Sequence, residues 1–168
     1  MRTKTRVVYI ASLSHSGSTL LDLLLNAHGS FASAGELKSF HPRAFEVRRC
    51  TCGSFSEDCR FWIGVKERLV ASGVDPQGFA TNTGEAAFLT GNVMLLEAIS
   101  KQAGDKIIVD SSKDSRRLRL LLSSPDLDVL PIFLVRDARG QICSALRKGG
   151  RLLKQIRTYN RRTRKISS

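Results

Sequence analysis

The sequence predicts an α/β fold, a parallel sheet covered by helices, on two observations. Short β-branched runs alternate along the chain with helical segments, and each run is bounded by small or turn-forming residues. The length of 168 residues, 42% of them hydrophobic, fits one domain with a core large enough to fold alone.

The elements follow in order. "RVVYIAS" at 6–12 is a short β-branched and aromatic run that reads as a buried strand. "STLLDLLLNAH" at 18–28 is leucine-rich and opens with Ser18 and Thr19, favourable residues for a helix N-terminus. Residues 41–62 carry cysteines and aromatics without a regular period. "GEAAFLTGNVMLLEAISKQAG" reads as a long helix closed by Gly104. "DKIIVDSS" is a second buried strand, and "KDSRRLRLLLSS" a helix stopped before Pro125. In "DVLPIFLVRD" the Pro131 places the strand at a sheet edge, or itself early in the strand. "ARGQICSALRKGG" is a helix ended by two glycines. No internal repeat is present. The expected organisation is one α/β domain over 1–150 and a basic tail over 151–168.

The net charge of +12, from 27 Lys and Arg against 15 Asp and Glu, favours anionic partners: nucleotides, nucleic acid, sulfated glycans or acidic lipid. No apolar run approaches the ~20 residues that cross a bilayer, and the N-terminus lacks the apolar core and cleavage site of a signal peptide, so a cytoplasmic protein without a transmembrane segment is expected. Lys148, Arg151, Lys154, Arg157, Arg161, Arg162, Arg164 and Lys165 make the C-terminal segment basic, with no acid after Asp137. Such runs are ordinarily solvated or disordered.

The turn "SLSHSGST" between the first strand and the first helix has the position of a Walker A loop. Aligning Gly17 with that motif's second glycine puts Ser12 at the first glycine, Ser18 at the lysine and Thr19 at the final hydroxyl. Two signature positions fail, which disfavours ATP or GTP hydrolysis. The backbone N–H groups of Ser16, Gly17, Ser18 and Thr19 still lead into a helix N-terminus and form an anion site without the lysine.

"HSGST" at 15–19 resembles the 5′-phosphosulfate loop [KR]-[ST]-G-[ST]-[ST] of the sulfotransferases that use 3′-phosphoadenosine 5′-phosphosulfate (PAPS), with His15 in place of the usual Lys or Arg. "LVRDARGQICSALR" resembles the family's 3′-phosphate motif, a strand ending in Arg136 followed by a helix with Ser144 eight residues on. The alternative for Arg136 is an ion pair with Asp137 or Asp110. "SAGEL" at 33–37 is similar to the acceptor-side strand of the tyrosyl-protein and carbohydrate branch, and "VDSSK" places Lys113 after a strand as relatives place a basic residue. The resemblance spans about residues 7–148 and looks closest to the bacterial and tyrosyl-protein or carbohydrate branch. It implies a P-loop-containing nucleotide-hydrolase-like fold with a central parallel sheet flanked by helices. It further implies PAPS as co-substrate, a hydroxyl-bearing acceptor and no metal. Ser16, Gly17, Ser18 and Thr19 would hold the 5′-phosphate, and Arg136 and Ser144 the 3′-phosphate. Glu36 would be the general base, and His15 or Lys113 would neutralise the leaving oxygen.

Chains of that family continue past the helix bearing Ser144, so the resemblance also implies a domain incomplete on its C-terminal side. A catalytically incomplete nucleotide-binding protein is therefore one competing reading. The other is a basic binder of nucleic acid or glycan, which lacks aromatic residues interleaved among the arginines, so no specific nucleic-acid partner is expected.

Of the four cysteines, Cys50, Cys52 and Cys59 cluster in "CTCGSFSEDCRFW", with His41 as a possible fourth metal ligand, while Cys143 stands apart. The C-x-C spacing departs from the common C-x₂₋₄-C of structural zinc. A disulfide or simple packing, anchored by Phe61 and Trp62, is the expectation. The segment also resembles a "C-x-CG…C-x-FW" insert of bacterial sulfotransferase-like chains.

Overall fold

The computed structural model describes residues 3–39, 49–76 and 84–167. Four strands, β1 (Thr5–Ser12), β2 (Phe31–Gly35), β3 (Ile107–Asp110) and β4 (Leu127–Leu134), form one sheet in the order β2-β3-β1-β4. Every pairing is parallel. β1 is central: it matches β4 from Thr5↔Leu127 to Ser12↔Leu134 and β3 from Val7↔Ile108 to Tyr9↔Asp110. Pro131 lies in β4, an edge strand, where a missing N–H is tolerated, as its sequence context predicted.

Parallel strands need crossover helices, and six helices are described. They are α1 (Ser18–Ala27), α2 (Arg60–Ala71), α3 (Glu85–Gln102), α4 (Ser115–Leu122), α5 (Ala138–Leu146) and α6 (Leu152–Ser167). The period-two alternation of β1 divides the core between the two sheet faces. Val7, Tyr9 and Ala11 pack with Trp62, Val65 and Leu69 of α2, Leu95, Leu96 and Ile99 of α3, and Leu118 and Leu121 of α4. On the other face Val8, Ile10 and Val109 meet Leu21 and Leu25 of α1. Both faces of β1 are thus buried, which is why its sequence is continuously apolar.

Two elements differ from expectation. α2 occupies 60–71, where no helix was read, and buries Trp62, Val65 and Leu69 along one stripe. The basic C-terminal stretch forms a helix, α6, most of whose described side chains are exposed to solvent, and its Tyr159 hydroxyl donates to the Arg136 carbonyl at 3.3 Å. Upstream of α2, Arg49 and Phe55 bridge across a tight turn, and the Arg49 guanidinium lies 4.8 Å from the Phe55 ring centroid. His41 lies outside the described residues.

Candidate functional site

The carboxyl ends of β1, β2, β3 and β4 meet at one end of the sheet, where open parallel α/β sheets place their ligands. From β1 the chain turns through 13–17 into α1. His15 and Gly17 both have left-handed φ values, 68° and 95°. That conformation is free for glycine and strained for other residues, with histidine among the better tolerated. No side chain caps α1, and no backbone carbonyl of the described residues accepts from the amides of Gly17, Ser18 or Thr19. These N–H groups remain available to an anion at the positive end of the helix. The Ser16 amide is partly committed, donating to the Leu13 carbonyl at 3.3 Å. The Ser16 and Ser18 side chains are buried, whereas Thr19 is exposed.

The residues that follow β4 hold this loop from the other side. Arg136 Nη1 donates to the His15 carbonyl at 3.0 Å, Gln141 Nε2 to the Ser14 carbonyl at 2.7 Å, and Ser144 Oγ lies 3.5 Å from His15 Nδ1. Gly140 permits this arrangement, since a Cβ there would sit 3.0 Å from Arg136 Nε. Arg136 has no carboxylate partner among the described residues. Asp137 instead caps α5, accepting from the Arg139 and Gly140 amides at 2.8 and 3.4 Å, and pairs with the Arg139 guanidinium at 3.1 Å. Asp110 is taken by Arg117. Neither acid that would have neutralised Arg136 does so. A hollow of about 210 Å³ lies beside the loop, lined by Leu13, Ser14, His15, Gln141 and Tyr159 among others. A larger concavity of about 580 Å³, bordered by Met94, Lys101 and Pro125, lies toward the amino ends of the strands, away from this loop.

Glu36 and Lys113 come together beyond the ends of β2 and β3. Lys113 Nζ forms a close ion pair with Glu36 Oε1, and Lys38 Nζ lies 3.3 Å from Oε2. Partial burial alone pushes the Glu36 carboxyl up, but the hydrogen bonds and charges of Lys113 and Lys38 outweigh it and hold the group below the usual carboxylate range. Lys113 is left-handed at φ 59° and sits in a turn fixed on both flanks. On one side, the Tyr9 hydroxyl donates to the Asp114 carbonyl at 2.8 Å and accepts from the Asp114 amide at 3.0 Å. On the other, the Ser112 hydroxyl hydrogen-bonds closely to Asp110 and accepts from the Lys38 amide at 2.8 Å. Beneath the turn, Arg117 Nε donates to Asp110 Oδ2 at 2.8 Å and Nη1 closely to Asn92 Oδ1. Tyr9, Asn92, Asp110, Ser112 and Arg117 of this network are buried.

Asp22, which sequence reasoning passed over, lies between α1 and the ends of β2 and β3. Its Oδ2 accepts from Ser33 Oγ at 2.9 Å and Ser111 Oγ at 3.4 Å, tying α1 to the ends of β2 and β3. Burial raises its pKa, only partly offset by those hydroxyls, and its Oδ1 is buried with no hydrogen-bond partner among the described residues. A lone acid inside the leucine-rich "STLLDLLLNA" was the available signal; what it faces comes from residues far along the chain. The expected site residues therefore form two groups. His15, Arg136 and Ser144 meet at the loop leading into α1, and Glu36 meets Lys113, while Asp22 ties α1 to Ser33 and Ser111 at the ends of β2 and β3.

No protein family model matches the chain, and no curated protein matches it. Among solved structures it is similar to the sulfotransferase domain of the olefin synthase from Synechococcus PCC 7002, at 21% identity with a TM-score of 0.46. The similarity covers 88% of this chain and 54% of that one, so the chain spans about half the length of that solved domain.

Proposed function

We propose that this chain binds PAPS and transfers its sulfuryl group to a hydroxyl-bearing acceptor. The observation that carries the reading is the convergence of two distant sequence motifs, with Arg136 and Ser144 both reaching His15 of the loop. Arg136 arrives there without an acidic partner among the described residues, as a phosphate-binding guanidinium requires.

In this reading the amides of Gly17, Ser18 and Thr19, with a lesser share from Ser16, bind the 5′-phosphate. Arg136 exchanges the His15 carbonyl for the 3′-phosphate, and Ser144 donates its hydroxyl to the same group. Transfer is in line: the acceptor oxygen forms a bond to sulfur as the bond from sulfur to the bridging oxygen breaks, and 3′-phosphoadenosine 5′-phosphate departs. By analogy with phosphoryl transfer, positioning and charge stabilisation supply most of the catalysis. Glu36 takes the acceptor's proton, while His15 or Lys113 neutralises charge on the leaving oxygen. The Glu36–Lys113 pair describes the protein before substrate binds: a carboxylate held below its usual range is a weak base. It gains basicity when Lys113 turns to the donor.

Calorimetric titration with 3′-phosphoadenosine 5′-phosphate, against AMP as control, tests the reading. Selective binding of the 3′-phosphorylated nucleotide is expected. Arg136→Ala should lower its affinity about ten- to a hundred-fold, the loss of one charge-assisted contact worth roughly 1.5–3 kcal/mol, and leave AMP nearly unaffected. Equal affinity for both nucleotides, or unchanged affinity in a folded Arg136→Ala protein, overturns it. The same Glu36–Lys113 pairing favours a second reading, nucleotide binding without transfer. A protein that binds the nucleotide selectively yet releases no product from PAPS with any hydroxyl acceptor would match that one.

A further inference from the structure

The sulfur atoms of Cys50, Cys52 and Cys59 all lie within 4.8 Å of one another, and none belongs to the site above. We propose that these three cysteines form a zinc site that fastens the 49–59 segment to the core, with the fourth coordination position left to water or a small added ligand.

The local backbone builds the cluster. The Cys50 amide donates to the Ser54 carbonyl at 2.9 Å and the Gly53 amide to the Cys50 carbonyl at 3.0 Å, closing a tight turn that folds Cys52 back beside Cys50. Gly53, at φ 92°, supplies the left-handed residue this turn needs. The third sulfur comes from Cys59, the residue preceding the first turn of α2, buried in the same core as Trp62, Ala34 and Leu37. Cys52 is exposed, so the cluster is anchored on one side and open to solvent on the other.

Two features favour a metal over a disulfide. A disulfide joins two sulfurs, and here three converge. Cys52 and Cys59 lie 3.6 Å apart, and the sulfurs of a tetrahedral zinc site with ~2.3 Å bonds lie about 3.8 Å apart, so the cluster closes on an ion with sub-ångström to ångström adjustments. The backbone also sets the third sulfur in place: the Asp58 and Cys59 amides donate to the Phe55 and Ser56 carbonyls at 3.1 and 3.4 Å, turning the chain so that Cys59 faces the Cys50–Cys52 turn. A set of three sulfur ligands selects a borderline-soft divalent ion, of which zinc is the redox-inert choice. As the three zinc–sulfur bonds form, the three thiol protons pass to solvent, and no electrons are exchanged.

The full chain, purified under reductant, is titrated with zinc and separately with cobalt(II). We expect one zinc per chain by mass spectrometry. Cobalt should produce a thiolate-to-cobalt charge-transfer band together with the visible bands of a tetrahedral ion. With zinc present only Cys143 should react rapidly with a thiol reagent; after chelation Cys50 and Cys52 should react as well, while Cys59 stays shielded by the core. Cys52→Ser, at the exposed position, should abolish the cobalt band, and Cys143→Ser should keep it. Any of three results overturns the proposal: a folded, reduced wild-type protein whose Cys50 and Cys52 thiols stay reactive in zinc, a cobalt band that survives Cys52→Ser, or a purified protein free of metal whose missing thiols return only on reduction. The last would make Cys52 and Cys59 a disulfide pair.

Discussion

Glu36 experiences two opposed influences, burial raising its pKa and two lysines lowering it, and the lysines win. A carboxylate whose folded value lies below its unfolded one, near ~4.3, adds stability that is complete above the unfolded value and is lost as pH falls through the folded value. The advantage of the native chain over Glu36→Gln in denaturant midpoint should therefore be present at neutral pH and vanish below the ordinary carboxylate range. Since Glu36 is substantially exposed, the advantage is small. A gap that persisted unchanged into acid would show that ionisation of Glu36 contributes nothing. The pair itself was not legible in the sequence: Glu36 and Lys113 follow different strands, and only the adjacency of β2 and β3 brings them within contact. Nor was the left-handed backbone of His15, because the usual sign of that conformation is a glycine.

Among the elements, the turn between β3 and α4 carries Lys113 on a base of buried charge. Arg117 is 4% exposed and Asp110 0%, and each is the other's counter-ion. Removing one partner leaves an uncompensated charge in the core, so Arg117→Ala should cost about 3–5 kcal/mol in urea-induced unfolding. Replacing Arg117 and Asp110 together by apolar residues of similar volume should recover much of that loss. If the single variant costs less than about 1 kcal/mol, solvent reaches the pair and the turn has another support. The strands were legible because apolar runs buried on both faces need no partner to be recognised, and α3 because its period continues over Glu85–Gln102. α2 shows the opposite case. Its stripe of Trp62, Val65 and Leu69 has helical spacing, but it begins directly after the cysteine turn, whose irregular composition masked the change of period. Ser33 and Ser111 look like ordinary strand-end residues until Asp22 is placed between them.

For the whole molecule, the sheet leaves β4 at an edge with Leu130 62% exposed and Phe133 54% exposed. An edge strand with exposed apolar side chains invites pairing with another chain, and Pro131 blunts it only locally. Sedimentation velocity should detect association that grows with protein concentration, and Phe133→Lys should reduce it. A monomer at all concentrations would show that the edge is adequately protected by its own twist and by the net charge of +12.

The central position of β1 has a temporal consequence. Its neighbours in the sheet are β3 and β4, which lie most of the chain length away, so the loop from Leu13 to Gly17 is synthesised early but acquires its walls late. Closing such long stretches of chain is entropically costly and slows folding relative to local helix contacts. Until Arg136, Gln141 and Ser144 have been made and β4 has docked, nothing holds the loop from that side. The loop between β1 and α1, near the start of the chain, is thus one of the last parts of the protein to take shape.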